Sequence, residues 1–241
     1  MALVVALVVA LGVVFALSDG SGRRATSAGA HGTVATPAVH HPTTTTAAPA
    51  TTTTVPPTTT TSTVDPGSLP QTDQLPTTAD PSFAAAMGAL WNGVVADDVQ
   101  TAMPAFFPEG AYVQLKDIAG VSSDYTDRLA AEYGLDITAA HQLLGADPAA
   151  ARFVGVDADA SFAHWVPPGV CDNGVGYFEL PNARVVYTVG GQTSSFGIAS
   201  MISWRGEWYV IHLGAILRSG SGGEVDDPEP GPGTPAYSGT C

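Results

Sequence analysis

Residues 194–217 read SSFGIASMISWRGEWYVIHLGAIL, and this stretch decides the fold. On one side of Arg205-Gly206-Glu207, Phe196, Ile198, Ser200, Ile202 and Trp204 alternate with their neighbours. On the other side Trp208, Val210, His212, Gly214 and Ile216 do the same. A period of two places each set on one face of a strand, and the polar, Gly-containing triplet between them reads as a hairpin turn. The pattern predicts an antiparallel pair, Ser194 to Trp204 and Trp208 to Leu217.

Working back toward the N-terminus, three more strands are expected at Ala183 to Val189, Val175 to Leu180 and Phe153 to Trp165. Upstream of these the period changes to that of a helix. Asp80-Pro81 combines an N-cap residue with Pro at the first helical position, and Phe83, Met87, Leu90, Trp91, Val94 and Val95 follow at helical spacing. Asp97-Asp98 opens a short second helix that Pro104 and Pro108 end. A brief strand is expected from Ala111 to Leu115, then helix from Ser123 to Leu144 with a break at Gly134. Helices first and antiparallel strands last is the α+β arrangement, with the N-terminal helices packed on one face of a curved, mostly antiparallel sheet.

The two opening helices, the Phe106-Phe107-Pro108 to Tyr112 passage and the closing hairpin Ser203-Trp204-Arg205-Gly206-Glu207-Trp208-Tyr209-Val210 resemble nuclear-transport-factor-2-like domains, in particular exported actinobacterial members of unassigned function. The resemblance covers Pro81 to Arg218. It implies a cone-shaped α+β roll with a pocket, in a family that includes isomerases, dehydratases and cyclases as well as members without activity.

What precedes residue 81 has a different character. Ala2 to Leu17 is an apolar run ended by Ser18-Asp19-Gly20 and followed by Arg23-Arg24. It falls a little short of the about 20 residues that span a bilayer and a little beyond a signal-peptide core, so residues 1–18 read as a transmembrane anchor or a signal segment. Residues 19–80 carry blocks of Thr at 43–46, 51–54 and 58–61 interleaved with Pro. With so little large apolar content to offset the entropy of ordering, this is expected to be a disordered stalk. A Thr/Pro stalk and paired cysteines together fit an exterior location, with the domain outside the membrane or, if the segment is cleaved, secreted.

The chain carries a net charge of −14, and from residue 81 onward six Lys/Arg stand against eighteen Asp/Glu. Phosphate backbones require a basic footprint, so nucleic acid is excluded as a partner class. The partner expected is an envelope protein or a small apolar ligand, with the membrane contacted through the N-terminal segment.

Cys171 and Cys241 are the only cysteines. In an exported chain an even count favours a bridge over two free thiols, and the Pro-rich tail 219–241 would then be a strap tied back by its last residue. No Cys-x-x-Cys spacing suggests dithiol chemistry.

Candidates for chemistry are His212 on the last strand, His164 at the end of an earlier one, and Tyr112. A His on an apolar strand face is either a packed core residue or a pocket acid/base. Asp157 and Asp159 alternate onto the solvent face, and no carboxylate is visible on the His212 face. Ser-x-x-Lys, Gly-x-Ser-x-Gly, His-Glu-x-x-His and phosphate-binding Gly loops are absent, and no cofactor is expected. His40-His41 lack companion ligands, and Asp226, Asp227 and Glu229 lack the spacing of a calcium loop, which leaves them as a solvated acidic tail and no metal site. The function expected is a non-catalytic binding module of the cell envelope; the alternative is a pocket enzyme of isomerase or dehydratase type using His212. The bridge is checked by mass measurement with and without reductant: alkylation of Cys171 and Cys241 should require reduction, and two thiols modified in untreated exported protein would refute it.

Overall fold

A computed structural model describes residues 65–218 and 220–235; the apolar segment, most of the stalk and Cys241 lie outside the described residues. Among the described residues five α-helices are followed by six strands. The helices are α1 (Pro81–Ala96), α2 (Val99–Ala102), α3 (Glu109–Leu115), α4 (Val121–Asp124) and α5 (Ala131–Gln142), with a π-helical turn, Tyr125–Ala130, joining the last two. The strands are β1 (Arg152–Asp157), β2 (His164–Val166), β3 (Tyr177–Val189), β4 (Gln192–Trp204), β5 (Glu207–His212) and β6 (Asp226–Pro230). All the pairings between these strands are antiparallel, so the domain is α+β with one six-stranded curved sheet. The described residues fall in one compact unit.

β3 and β4 form a long hairpin paired from Glu179↔Ile202 to Val189↔Gln192. The Gly190-Gly191 turn closes it with φ of 56° and 78°, the left-handed pair that two-residue hairpin loops require. Each long strand carries two short ones end to end along its outer edge: β2 and β1 on β3, β5 and β6 on β4. β2 pairs with Tyr177–Glu179 and β1 with Arg184–Thr188, leaving Leu180 to Ala183 between them. Pro181 sits in that gap, where its missing N–H deprives neither short strand of a partner. This is why Val175 to Leu180 and Ala183 to Val189, expected as two strands, are one: Asn182 takes a left-handed conformation (φ 51°) and bends the strand without ending it.

Other expectations are corrected by local physics. Ala111 to Leu115 is helix, because Pro108 opens a turn whose buried residues Ala111, Tyr112 and Leu115 follow helical spacing while Val113 faces solvent. Gly134 does not break the long helix. It lies inside α5 beside Val99 of α2, and a Cβ there would come no nearer than 3.8 Å to the Val99 side chain. The irregularity falls earlier, at the π turn. The strand expected from Phe153 to Trp165 is split by a turn at Ala160–Phe162 that Asp159 caps through Ser161 N (2.9 Å). β5 ends at His212, short of Leu217, as Gly214 turns toward α5.

α1 forms as its sequence requires: Asp80 accepts from Ser82 N (3.0 Å), Pro81 follows, and Phe83, Met87, Leu90, Trp91 and Val94 are buried on one face. The core between helices and sheet is aromatic. Phe106 stacks on Tyr133 at 4.2 Å, and Phe107 meets the fully buried Trp204 edge-on at 5.8 Å. The Arg205-Gly206 turn (φ 54° and 82°) delivers β4 into β5 as the sequence suggests.

Both flanks of the domain are docked. Residues 65–80, assigned to the stalk by composition, lie on it: Trp204 Nε1 donates to Pro66 O (3.0 Å), Gln71 Nε2 to Ser203 O (2.8 Å) and Arg205 N to Gln71 Oε1 (2.7 Å). At the other end the acidic group is a strand and not a solvated tail. β6 pairs with β4, and Gly197 admits it where a Cβ would sit 2.5 Å from Asp226 Oδ2. Beneath it Arg184, fully buried, donates to Ser195 Oγ (2.9 Å) and Asp227 O (2.8 Å) and pairs with Glu229 Oε1 (3.1 Å). Sequence alone paired Asp227 and Glu229 with water because their counter-ion is about 45 residues away.

Because the Arg184 guanidinium has no route to solvent, its acidic partners are what make burying it tolerable. Glu229→Ala should therefore cost about 3 kcal/mol in urea unfolding and raise amide exchange selectively in β6. An unchanged midpoint would show that β6 is held by its backbone pairing alone.

Candidate functional site

A cavity of about 70 Å³ lies between the concave side of the sheet and the helices. Tyr112, Leu115 and Lys116 reach it from α3 and its C-cap, and Arg128 and Leu129 from the π turn. The sheet contributes Tyr177 and Glu179 (β3), Ser200 and Ile202 (β4), Ile211 and His212 (β5), and Ile216 follows. That volume has room for a few waters or a small ligand group. A π turn is an uncommon way to cross from one helix to another and recurs at functional sites. Here it carries Arg128 and Leu129 to the cavity.

The three residues singled out from sequence converge here. Tyr112 and His212 line the cavity directly. His164 stands one layer out, with Nε2 at 3.4 Å from Glu179 Oε2 and Nδ1 at 3.1 Å from Phe162 O. Glu179 is the residue the sequence reading missed, and it overturns the statement that no carboxylate shares the His212 face. The register shows how it arrives: His164 is opposite Glu179, Ser200 is opposite both Pro181 and His212, and Ser200 Oγ donates diagonally to Glu179 Oε1 at 2.7 Å. Four strands thus place His164, Glu179, Ser200 and His212 in a row. Tyr177 and Glu179 alternate on one face in the sequence, but which cross-strand partners they meet depends on a pairing register that one strand cannot disclose. Asp157 is exposed and Asp159 caps a turn, both away from the cavity.

On the helical side Asp124 organises a tight cluster. Tyr112 OH donates to Asp124 Oδ2 (2.5 Å), while Arg128 reaches the same carboxylate through Nε (2.7 Å) and Nη2 (2.6 Å) and donates to the Tyr112 hydroxyl (3.1 Å). The Arg128 hydrogen bonds hold Asp124 below the usual carboxylate range, and burial holds Tyr112 well above the usual phenol range, so Asp124 is an anion and Tyr112 a neutral donor. Lys116 Nζ donates to Cys171 O (2.8 Å), and burial lowers its proton affinity. Cys171 is disulfide-bonded; Cys241, expected as its partner, lies outside the described residues. The loop bearing Cys171 is stitched to α3 by Asp117 N to Asp172 O (2.8 Å) and Gly174 N to Leu115 O (2.7 Å).

His212 has no hydrogen-bond partner on either ring nitrogen among the described residues. Burial first, then the positive charges of Arg128, Arg218 and Lys116, push its pKa down to about 4. Glu179 moves the other way: burial raises its pKa, opposed by the bonds to Ser200 and His164. At neutral pH the cavity therefore presents a neutral imidazole and a carboxyl that holds its proton more tightly than in water.

These shifts have opposite signatures in stability. The unfolded chain protonates His212 near 6.5 and the folded one only near 4, so stability is full above pH 6.5 and falls on acidification, by up to about 3 kcal/mol over that window. Glu179 binds its proton more tightly when folded, so its contribution is present below the ordinary Glu value of about 4.3 and fades as pH rises. His212→Phe should flatten the acid limb of a melting-temperature profile between pH 4 and 6.5, and Glu179→Gln should stabilise at pH 7 more than at pH 4.5. Parallel profiles for wild type and both variants would contradict the burial of either group.

Among the described residues no helix is long and apolar enough to cross a membrane, and no group of three or more His, Cys, Asp or Glu is placed to hold a metal. The chain matches no family model, no curated protein and no solved structure.

Proposed function

We propose that this is an extracytoplasmic roll domain of the nuclear-transport-factor-2-like kind, carried at the cell membrane by its N-terminal apolar segment, which binds a small, largely apolar molecule without transforming it. The observation that carries the reading is the cavity, with Leu115, Leu129, Ile202, Ile211 and Ile216 forming an apolar wall around a few fixed polar groups. Such a lining, mostly hydrophobic with convergent hydrogen-bonding groups, is the usual composition of a small-molecule site. The α+β architecture with helices covering one side of a curved antiparallel sheet supports the roll. The location outside the membrane rests on the apolar run, the Thr/Pro stalk and the disulfide-bonded Cys171.

A second reading, a pocket enzyme of isomerase or dehydratase type, is favoured by the meeting of His212 with Glu179 and Tyr112 on one cavity. A neutral imidazole is a competent base, and a neutral phenol, or a carboxyl whose proton affinity burial has raised, is a candidate acid.

One experiment separates the two. The domain is incubated with a small-molecule extract of its source cells and examined by native mass spectrometry. A bound mass should appear with wild type and vanish when Ile202→Trp fills the cavity. A binder releases the molecule unchanged, whereas an enzyme releases a product that His212→Phe does not form. Absence of any cavity-dependent adduct would overturn both readings. Cleavage of the domain by protease added to intact cells tests the location, and a protected, cytosolic domain would refute it.

A further inference from the structure

A second concave site lies at the end of the sheet where β3 begins and β4 finishes. Successive side chains of a strand point to opposite sides, so β2 sets His164 toward Glu179 and turns the next residue, Trp165, away from it. Trp165 borders an open pocket of about 440 Å³, and Thr72, Asp73, Gln114, Gly176 and Trp204 complete its lining with their neighbours. That volume is within the range of small-molecule sites, about 300–1,000 Å³. Thr72 and Asp73 come from the docked segment 65–80, so the pocket is formed only because that segment lies on the domain.

Three of the four tryptophans, Trp91, Trp204 and Trp208, are buried, whereas Trp165 is 40% exposed. Its position is nonetheless fixed. Phe178 meets it edge-on at 5.0 Å, and Gly176 lies against its six-membered ring, where a Cβ would sit 2.2 Å from Cζ2. The polar groups around it are unequally used. Gln71 spends its amide on Ser203 O, Thr72 N and Arg205 N, and Gln114 Nε2 donates to Gly67 O (2.6 Å). The Thr72 hydroxyl is buried with no hydrogen-bond partner, and among the described residues none engages the Asp73 carboxylate or Gln114 Oε1. No Lys, Arg or His among the described residues lines the pocket. Its open capacity is thus one hydroxyl and two sets of acceptors beside a held indole ring.

We propose that this pocket binds a saccharide, with the C–H face of one pyranose ring on Trp165 and its hydroxyls bonded to Asp73, Gln114 Oε1 and Thr72. The site is separate from the cavity and does not rest on the small-molecule reading above. A sugar ring matches both halves of the pocket. Its C–H groups are slightly positive and suit the negative face of an indole, and its hydroxyls donate to the carboxylate and the amide oxygen. A hydroxyl also accepts, which pairs the Thr72 hydrogen and relieves the cost of leaving that group buried and unmade. A wholly apolar ligand leaves Thr72 unpaired. An ammonium has no acceptor for it and finds one exposed aromatic ring in place of a cage.

The test titrates cellotriose, maltotriose and tri-N-acetylchitotriose into the full chain, kept in a sugar-free polyoxyethylene detergent, and reads acrylamide quenching of tryptophan fluorescence. Trp165 is the one exposed tryptophan, so a stacked sugar should shield it from acrylamide. Saturable protection by at least one trisaccharide at millimolar concentration is expected. Calorimetry with that trisaccharide should show affinity about tenfold weaker in Trp165→Ala and in Gly176→Ala, which pushes the indole off its seat. Asp73→Asn, at an exposed residue, should weaken binding severalfold and keeps the test decisive should the other two variants fail to fold. No protection by any of the three sugars, affinity unchanged in Trp165→Ala or Asp73→Asn, or protection by tetramethylammonium in place of the sugars would overturn the saccharide site.

Discussion

Everything in this domain hangs on the pairing of β3 with β4. Those two strands alone contact four others, and each of the remaining strands is short and reaches the sheet only through one of them. The hairpin is long enough to carry two partners on each outer edge because its bends, at Asn182 on β3 and at the irregularity beside Ser200 on β4, let it curve without losing register. Bulges and left-handed residues increase local twist and turn a sheet around whatever it covers. What it covers is the aromatic layer of Phe106, Phe107 and Tyr133, and beside that layer the cavity.

Curvature alone would leave the helices and the C-terminal segment loosely attached, and two buried charges answer that. Asp136, 1% exposed, accepts from Gly214 N (3.0 Å) and Glu224 N (2.9 Å) and from Arg218 Nη1 (2.8 Å), so one carboxylate of α5 holds the chain on both sides of the segment after β5. Arg184 does the same for β6 from within the sheet. Buried ionic groups with every partner in place contribute little net stability, but removing one partner is costly, which gives such contacts a strong say over where a segment sits. The final strand is therefore positioned by charge and the first helices by hydrophobic spacing.

The same division runs through the cavity. Its walls are apolar and interchangeable in kind, while its polar groups other than His212 are held by specific neighbours: Asp124 keeps Arg128 and Tyr112 in place, Ser200 and His164 hold Glu179, and the Cys171 loop anchors Lys116. The positive charges that depress His212 belong to three different segments, α3, the π turn and the residues after β5.

Local sequence determined a good deal unaided. Asp80-Pro81 and the spacing of Phe83, Met87, Leu90 and Trp91 specify α1, and strict alternation around Arg205-Gly206 specifies β4, β5 and their turn, because these signals act within a few residues. His212 and Tyr112 could be picked out as the residue types that do chemistry near apolar surfaces. The tertiary structure decided what depended on partners distant in the chain. Glu179 joins His212 only through the register of three strands, Arg184 meets Glu229 across about 45 residues, and residues 65–80 are ordered by Trp204 and Ser203 against a composition that by itself suggests a coil. Ala111 to Leu115 became helix for a related reason: a stretch of five residues with only Gln114 polar fits either period, and burial of Tyr112 and Leu115 on one side chose between them. Period and capping are properties of neighbours in sequence, whereas register and charge pairing are properties of neighbours in space, which only the folded chain supplies.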